Sequence, residues 1–152
     1  MLEHERKRMR LRDYDYSSKG AYFVTVCVQN RACLFKDASS KRMIENWILE
    51  IDKKYKNISV DYYVVMSDHI HMIIFIDEET DVNLADVMDW FKTMTTNEYI
   101  RGVRAGIYEP FEKKFWQRSY YEHIIRNEED LLEKREYILN NPFKELEKET
   151  NA

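Results

Sequence analysis

YVVMSDHIHMIIFID, residues 63–77, decides how this chain folds. Ser67 and Asp68 separate two runs, ISVDYYVVM (58–66) and HIHMIIFID (69–77), both rich in β-branched and aromatic residues. A two-residue break between such runs is a tight hairpin, so the two strands are expected to pair antiparallel. The second run contains His69 and His71, two apart within an otherwise apolar strand. Side chains at i and i+2 of a strand share a face, roughly 6–7 Å apart. Imidazole costs free energy to bury without a partner, so the pair asks for a chemical explanation.

Working outward, GAYFVTVCVQNR (20–31) alternates: Tyr22, Val24, Val26 and Val28 share one face, and Phe23, Thr25 and Cys27 the other. That is a strand. SSKRMIENWILEIDKKYKN (39–57) carries Met43, Trp47, Ile48, Ile51 and Tyr55 at helical spacing, with Ser39 or Ser40 as its cap. Residues 81–102 read as a helix with the stripe Leu84, Val87, Met88 and Phe91, stopped by Gly102. FEKKFWQRSYYEHII (111–125) is expected to hold one or two short strands. Asn127 caps a last helix whose first turn holds Glu128, Glu129 and Asp130, and which is expected to end before Pro142. Strands and helices in this order predict an α+β fold, an antiparallel sheet with helices packed on it.

The chain has 152 residues, and one domain is expected over 1–152. Hydrophobic residues make up 44% and charged residues 34%, an ordinary globular balance, and the low counts of Gly (3) and Pro (2) argue against a long linker or a disordered tail. No apolar run approaches the ~20 residues of a membrane helix. MLEHERKRMRLR (1–12) has no apolar centre and does not read as a secretory signal. Cys27 and Cys33 are the only cysteines, too few for a disulfide framework or a cysteine-held zinc site, and a cytoplasmic location is expected. The net charge of −4 argues against a protein that coats DNA, because phosphate contacts need local Lys and Arg. Such residues are nonetheless clustered: Arg6, Lys7, Arg8, Arg10 and Arg12 form one group, and Lys113, Lys114 and Arg118 another beside Trp116. A solvated surface explains either cluster taken alone.

A His-x-His pair on a strand offers two nitrogen ligands to one metal ion, but two ligands do not complete a site. Hydrogen-bonded structural histidines are the plainer explanation. On the last helix, Tyr137 and Asn141 lie four apart on one face, with ~6 Å of rise between them. Asn141 offers an amide oxygen, a hard ligand suited to Mg²⁺ or Mn²⁺, or else caps the helix before Pro142. Tyr137 offers a phenolic nucleophile, or else an amphipathic ring packed on the core.

Four ordered blocks connect these residues: DYDYSSKGAYFVTVCVQNR, YYVVMSDHIHMIIFI, FWQRSYYEHIIRNEEDL and EYILNNPFK, spanning residues 13 to 144. Together they resemble the HUH single-tyrosine transposases, most nearly the REP-associated tyrosine transposases. The resemblance implies a ferredoxin-like or RRM-like sheet and a divalent ion, Mg²⁺ or Mn²⁺, held by His69, His71 and Asn141. It implies Tyr137 as the nucleophile that cuts and rejoins single-stranded, hairpin-associated DNA through a 5′-phosphotyrosine link. Ser67-Asp68 stands where that family usually has Pro-Asn, which puts an acid beside the metal. Tyr121 and His123 are expected to shape the site or support the fold.

DNA contacts are expected from Arg6, Arg8, Arg10, Arg12, Lys92, Lys113, Lys114 and Arg118, with Trp116 and Tyr120 stacking on unpaired bases. A core position is the alternative for Trp116. The partner is single-stranded or hairpin DNA, with no membrane, and the protein is a monomer or a homodimer. Two rival classes exist: a His-metal nuclease that uses water, in which Tyr137 is a bystander, and a non-catalytic RRM-like nucleic-acid binder, indifferent to metal.

Overall fold

Strand alternation sets the two faces of the sheet. In β3 (His69–Ile76), Ile70, Met72, Ile74 and Ile76 pack into one core cluster, and Ile73 and Phe75 into another. His69 and His71 extend the row of Ile73 and Phe75. β1 (Gly20–Cys27) divides the same way: Val24 and Val26 join the first cluster, Ala21 and Phe23 the second. Because β1 and β3 pair antiparallel with Thr25 opposite His71 and Cys27 opposite His69, the two strands present matched faces.

The structure is a computed structural model and describes residues 20–77 and 80–151. β2 (Ile58–Val65) pairs with β3, and β4 (Tyr121–Ile125) with β1, giving an antiparallel sheet of order β2-β3-β1-β4. With α1 (Ala38–Lys54) after β1 and α2 (Leu84–Arg104) after β3, this is a ferredoxin-like split βαβ arrangement, to which α3 (Glu128–Asn151) is added. The expected α+β architecture holds. α1 and α2 cover one face through Met43, Ile44, Ile48, Ile51, Val87, Met88 and Phe91. α3 covers the other face through Leu131 and Ile138, which meet Phe23, Ile73 and Phe75. Ile70, Met72, Ile73 and Ile74 are fully buried, and each burial contributes about 1.5–3 kcal/mol. No helix among the described residues is long and apolar enough to cross a membrane.

The β2–β3 turn is a tight hairpin, closed by Met66 N donating to His69 O at 2.8 Å. Residues after β1 clamp it: Val28 N donates to Asp68 O and Phe35 N to Ser67 O, both at 2.9 Å.

Four local expectations are corrected, and the one or two short strands expected over 111–125 are found as one. β1 stops at Cys27 because Asn30 and Arg31 take left-handed conformations (φ 59° and 55°) in a short 3₁₀ turn. α1 is capped by Asp37, whose carboxylate accepts from Ser40 N at 2.8 Å, while Ser40 turns inward and is buried. Gly102 does not stop α2; it lies within the helix because the Tyr108 ring packs where a Cβ would sit, and Gly106 (φ 76°) makes the turn beyond. Residues 111–125 supply one strand, β4, plus an isolated bridge between Val28 and Trp116. α3 continues through Pro142, which forgoes one intrahelical bond, so Asn141 lies inside the helix and is not its terminal cap. Asn127 does cap α3, its side-chain oxygen accepting from Asp130 N at 2.8 Å.

Candidate active site

The site lies at the hairpin end of β3, on the face covered by α3. His69 Nδ1 is 2.6 Å from Asp68 Oδ1, and Arg31 Nε donates to Asp68 Oδ2 at 3.0 Å. Burial alone would push the Asp68 carboxyl up, but the hydrogen bonds from Arg31 and His69 hold it below the usual carboxylate range. An ionised carboxylate only accepts, so His69 Nδ1 is the donor, and in the neutral ring this leaves the lone pair on Nε2. The left-handed backbone at Arg31 brings its guanidinium to Asp68.

His71 is buried, with 4% exposure, and its Nδ1 lies 2.8 Å from Thr25 Oγ1. Its Nε2 is buried with no hydrogen-bond partner among the described residues. Burial, then the charges of His69 and Arg31, lower the His71 pKa to about 3, so the ring is neutral across the ordinary pH range. A stranded buried polar atom costs about 1–3 kcal/mol. With Nδ1–H donating to Thr25, the stranded atom is a lone pair, which is what a divalent ion takes.

α3 brings the tyrosine to this pair. The Tyr137 ring centroid is 5.2 Å from that of His71, edge on, and Phe23 stacks on His71 at 5.3 Å while meeting the edge of Tyr137 at 5.9 Å. Asn141 is 8% exposed, and its Nδ2 donates to Tyr137 O at 2.7 Å. That bond uses the donor end of the amide; the acceptor oxygen is the end with ligand chemistry. His69, His71, Tyr137 and Asn141 all line one cleft of about 620 Å³, with Phe23, Thr25, Cys27, Arg31, Asp68 and Tyr121 among its other walls. The described residues hold no cluster of three His, Cys, Asp or Glu able to bind a metal; the nitrogens of His69 and His71 and the amide oxygen of Asn141 are donors of a kind a divalent ion takes, and all three residues line this cleft.

The residues expected to touch DNA divide differently. Lys113, Lys114 and Arg118 are exposed and line a second depression, about 440 Å³, beside α2. Lys92 is turned inward: Nζ donates to Gln117 O and Arg118 O at 2.9 and 3.0 Å and lies 5.7 Å from the Tyr120 ring. Burial, more than the nearby Lys114, lowers its pKa. Lys92 thus fastens the 117–118 backbone to α2 and occupies a face of Tyr120. Trp116 is corrected to a core residue: it is 5% exposed, donates Nε1–H to buried Thr95 at 2.9 Å, and packs on Phe35, Phe91 and Phe115, which leaves no face for a base. Arg6, Arg8, Arg10 and Arg12 lie outside the described residues. His123 Nε2 bonds Asp130 at 2.8 Å and ties β4 to α3. Thr25, Arg31 and Phe23 were missed by sequence reasoning, although the alternation of β1 already put Phe23, Thr25 and Cys27 on one face.

Comparison with known proteins places the chain among the transposases that work through a single tyrosine. The chain belongs to the family described as Transposase IS200 like, whose pattern matches residues 16–141. Enzymes of this family generally use a divalent metal ion. An uncharacterised protein of Haemophilus influenzae is 32% identical over 92% of this chain and 89% of its own length. A REP-associated tyrosine transposase of Escherichia coli is 26% identical, over 85% of this chain and 70% of that protein. A solved REP-associated tyrosine transposase bound to a REP hairpin superposes with a TM-score of 0.66 at 25% identity, covering 87% of this chain and 72% of that one.

Proposed function

We propose that this transposase, working as one catalytic unit, cuts and rejoins single-stranded DNA beside a hairpin, with Tyr137 as the nucleophile. Tyr137 Oη attacks the scissile phosphorus. The bond to the 3′ oxygen breaks, the phenolic proton passes to solvent, and the departing oxygen takes up a proton as a 3′-OH. The strand stays joined to the protein as a 5′-phosphotyrosine, and attack by a 3′-OH reverses the step and reseals DNA without ATP. His69, His71 and Asn141 would hold the ion. A bound Mg²⁺ or Mn²⁺ supplies charge to the phosphate oxygens as a Lewis acid. Asp68 holds His69 with Nδ1 as donor, and the Thr25 hydroxyl can accept from Nδ1–H of His71, the arrangement in which both rings present Nε2.

The observation that carries this reading is the buried Nε2 of a neutral His71, without a hydrogen-bond partner among the described residues, on a ring in contact with the Tyr137 ring. A structural histidine would bond both nitrogens. Hairpin DNA as substrate is supported by the similar transposase solved with a REP hairpin. Lys113, Lys114 and Arg118, with Arg6, Arg8, Arg10 and Arg12, are the cations offered to its phosphates, and Tyr120 the ring offered to an unpaired base.

The test is covalent trapping. Labelled hairpin DNA with a single-stranded flank is incubated with protein and Mn²⁺ and run on a denaturing gel. A metal-dependent protein–DNA band that Tyr137→Phe and His69→Ala both abolish is the expected result. Cleavage without a covalent band would assign the chemistry to water.

A further inference from the structure

We propose that Arg135 and Asp61 are a positioning pair that sets the rotation of α3 and so aims Tyr137 at the His pair; this rests on reading Tyr137 as the nucleophile. Neither residue lines the cleft.

The first observation is an irregularity in β2. Val60 pairs with Ile74 and Tyr63 with Met72, so β2 uses Asp61 and Tyr62 where β3 uses Ile73 alone. The extra residue is a bulge, a device that re-aims side chains. Val60 packs with the α1–α2 core, whereas Tyr62 and Val64 pack on the α3 side. The bulge therefore lets Asp61 and Tyr62, adjacent in sequence, both address α3.

The second is what meets them. Arg135 Nε donates to Asp61 Oδ2 at 2.6 Å and Nη2 to Oδ1 at 3.0 Å, while its guanidinium carbon lies 5.2 Å from the Tyr62 ring centroid. The Asp61 side chain has 0% exposure and that of Arg135 12%. A planar fork on a carboxylate fixes direction as well as distance.

The third is helical geometry. At about 100° per residue, Leu131 and Ile138 point into the sheet, and Arg135 and Tyr137 fall on opposite flanks of that apolar row. Apolar rows tolerate rotation and sliding; a two-point fork does not. At its first turn, α3 is also tied to β4 by Asp130, which meets His123 at 2.8 Å and Lys134 at 2.9 Å. The helix is thus laced to both edge strands, and Tyr137 is presented between them, over β1 and β3. A buried ion pair adds little stability over an apolar pair of similar volume. What Asp61 and Arg135 add is orientation.

Two variants separate orientation from stability: Arg135→Lys, which keeps the charge and loses the fork, and the double variant Asp61→Leu/Arg135→Met, which removes both charges. Each is prepared with 3-fluorotyrosine at position 137 for ¹⁹F NMR. In the parent, ring currents from Phe23 and His71 displace the signal from its unfolded position. In both variants it is expected to return more than halfway. On trapping DNA, single-turnover adduct formation should fall at least about tenfold, as small misplacements of reacting groups do, with Kd for DNA and Mn²⁺ unchanged within about twofold. A parental ¹⁹F shift in either folded variant, or a parental adduct rate, overturns the proposal. If the parent itself forms no adduct, the nucleophile reading fails separately, and the fluorine signal still decides the positioning.

Discussion

At the scale of the residue, His71 is where the site shows itself. Its depressed pKa, about 3 against 6.5 for an ordinary histidine, fixes the sign of an acid effect. Below pH 6.5 the unfolded chain takes up a proton that folded His71 refuses. Stability of the metal-free protein should therefore fall as pH drops through this window and level off near pH 3, by on the order of 5 kcal/mol in all. Asp68 and Asp130, held below the carboxylate range, stabilise above 3.8 and lose that contribution only below it, so they do not mask the upper part of the window. Urea unfolding at pH 7 and pH 4.5 should show the slope in the parent and flatten it in His71→Gln; equal slopes would mean that His71 is not neutral. Asp68 acts through His69. Removing it with Asp68→Ala should weaken Mn²⁺ binding about tenfold or more, measured by electron paramagnetic resonance, as loss of a ligand's orienting partner does. Unchanged affinity would dismiss Asp68 as the orienter.

At the scale of the element, strand alternation was readable because period two and burial coincide: β1 and β3 split between two cores as their sequences say. Helix ends were less so: Asn127 was legible as the cap of α3, but the start of α1 was not. KDASSKR (36–42) offers several capping residues in succession, and periodicity cannot choose Asp37 over Ser39 or Ser40. The bulge at Asp61 and Tyr62 was invisible, since ISVDYYVV also reads as an uninterrupted strand. Gly102 looked like a helix stop because glycine's usual place is a helix end, whereas its use here is to admit a ring. A Cβ there would stand 2.1 Å from Tyr108 Cδ2, on a ring stacked 4.9 Å from that of Tyr99. Gly102→Ala should cost about 1–3 kcal/mol in urea unfolding by forcing Tyr108 away. A neutral substitution would show that the ring moves without loss.

At the scale of the whole molecule, the site could be named from sequence but not assembled from it. His69 and His71 announce themselves as polar residues in an apolar strand. Nothing in periodicity says that α3 crosses the same face, that Tyr137 reaches His71, or that Trp116 turns inward, because each is a long-range packing outcome. The resemblance to known transposases supplied the link, and the geometry of the cleft supports it: two imidazoles from β3 and an amide and a phenol from α3 line one cleft, from two stretches far apart in the chain. A second tyrosine, Tyr121, also lines the cleft and is 59% exposed, so a covalent band alone does not say which phenol attacks. The decisive measurement is mass spectrometry of the trapped protein–DNA adduct after nuclease and protease digestion. The account predicts a nucleotide phosphate on the peptide bearing Tyr137 and a 3′-OH on the released strand. A phosphate on Tyr121, or a cut strand with no modified peptide, would contradict it.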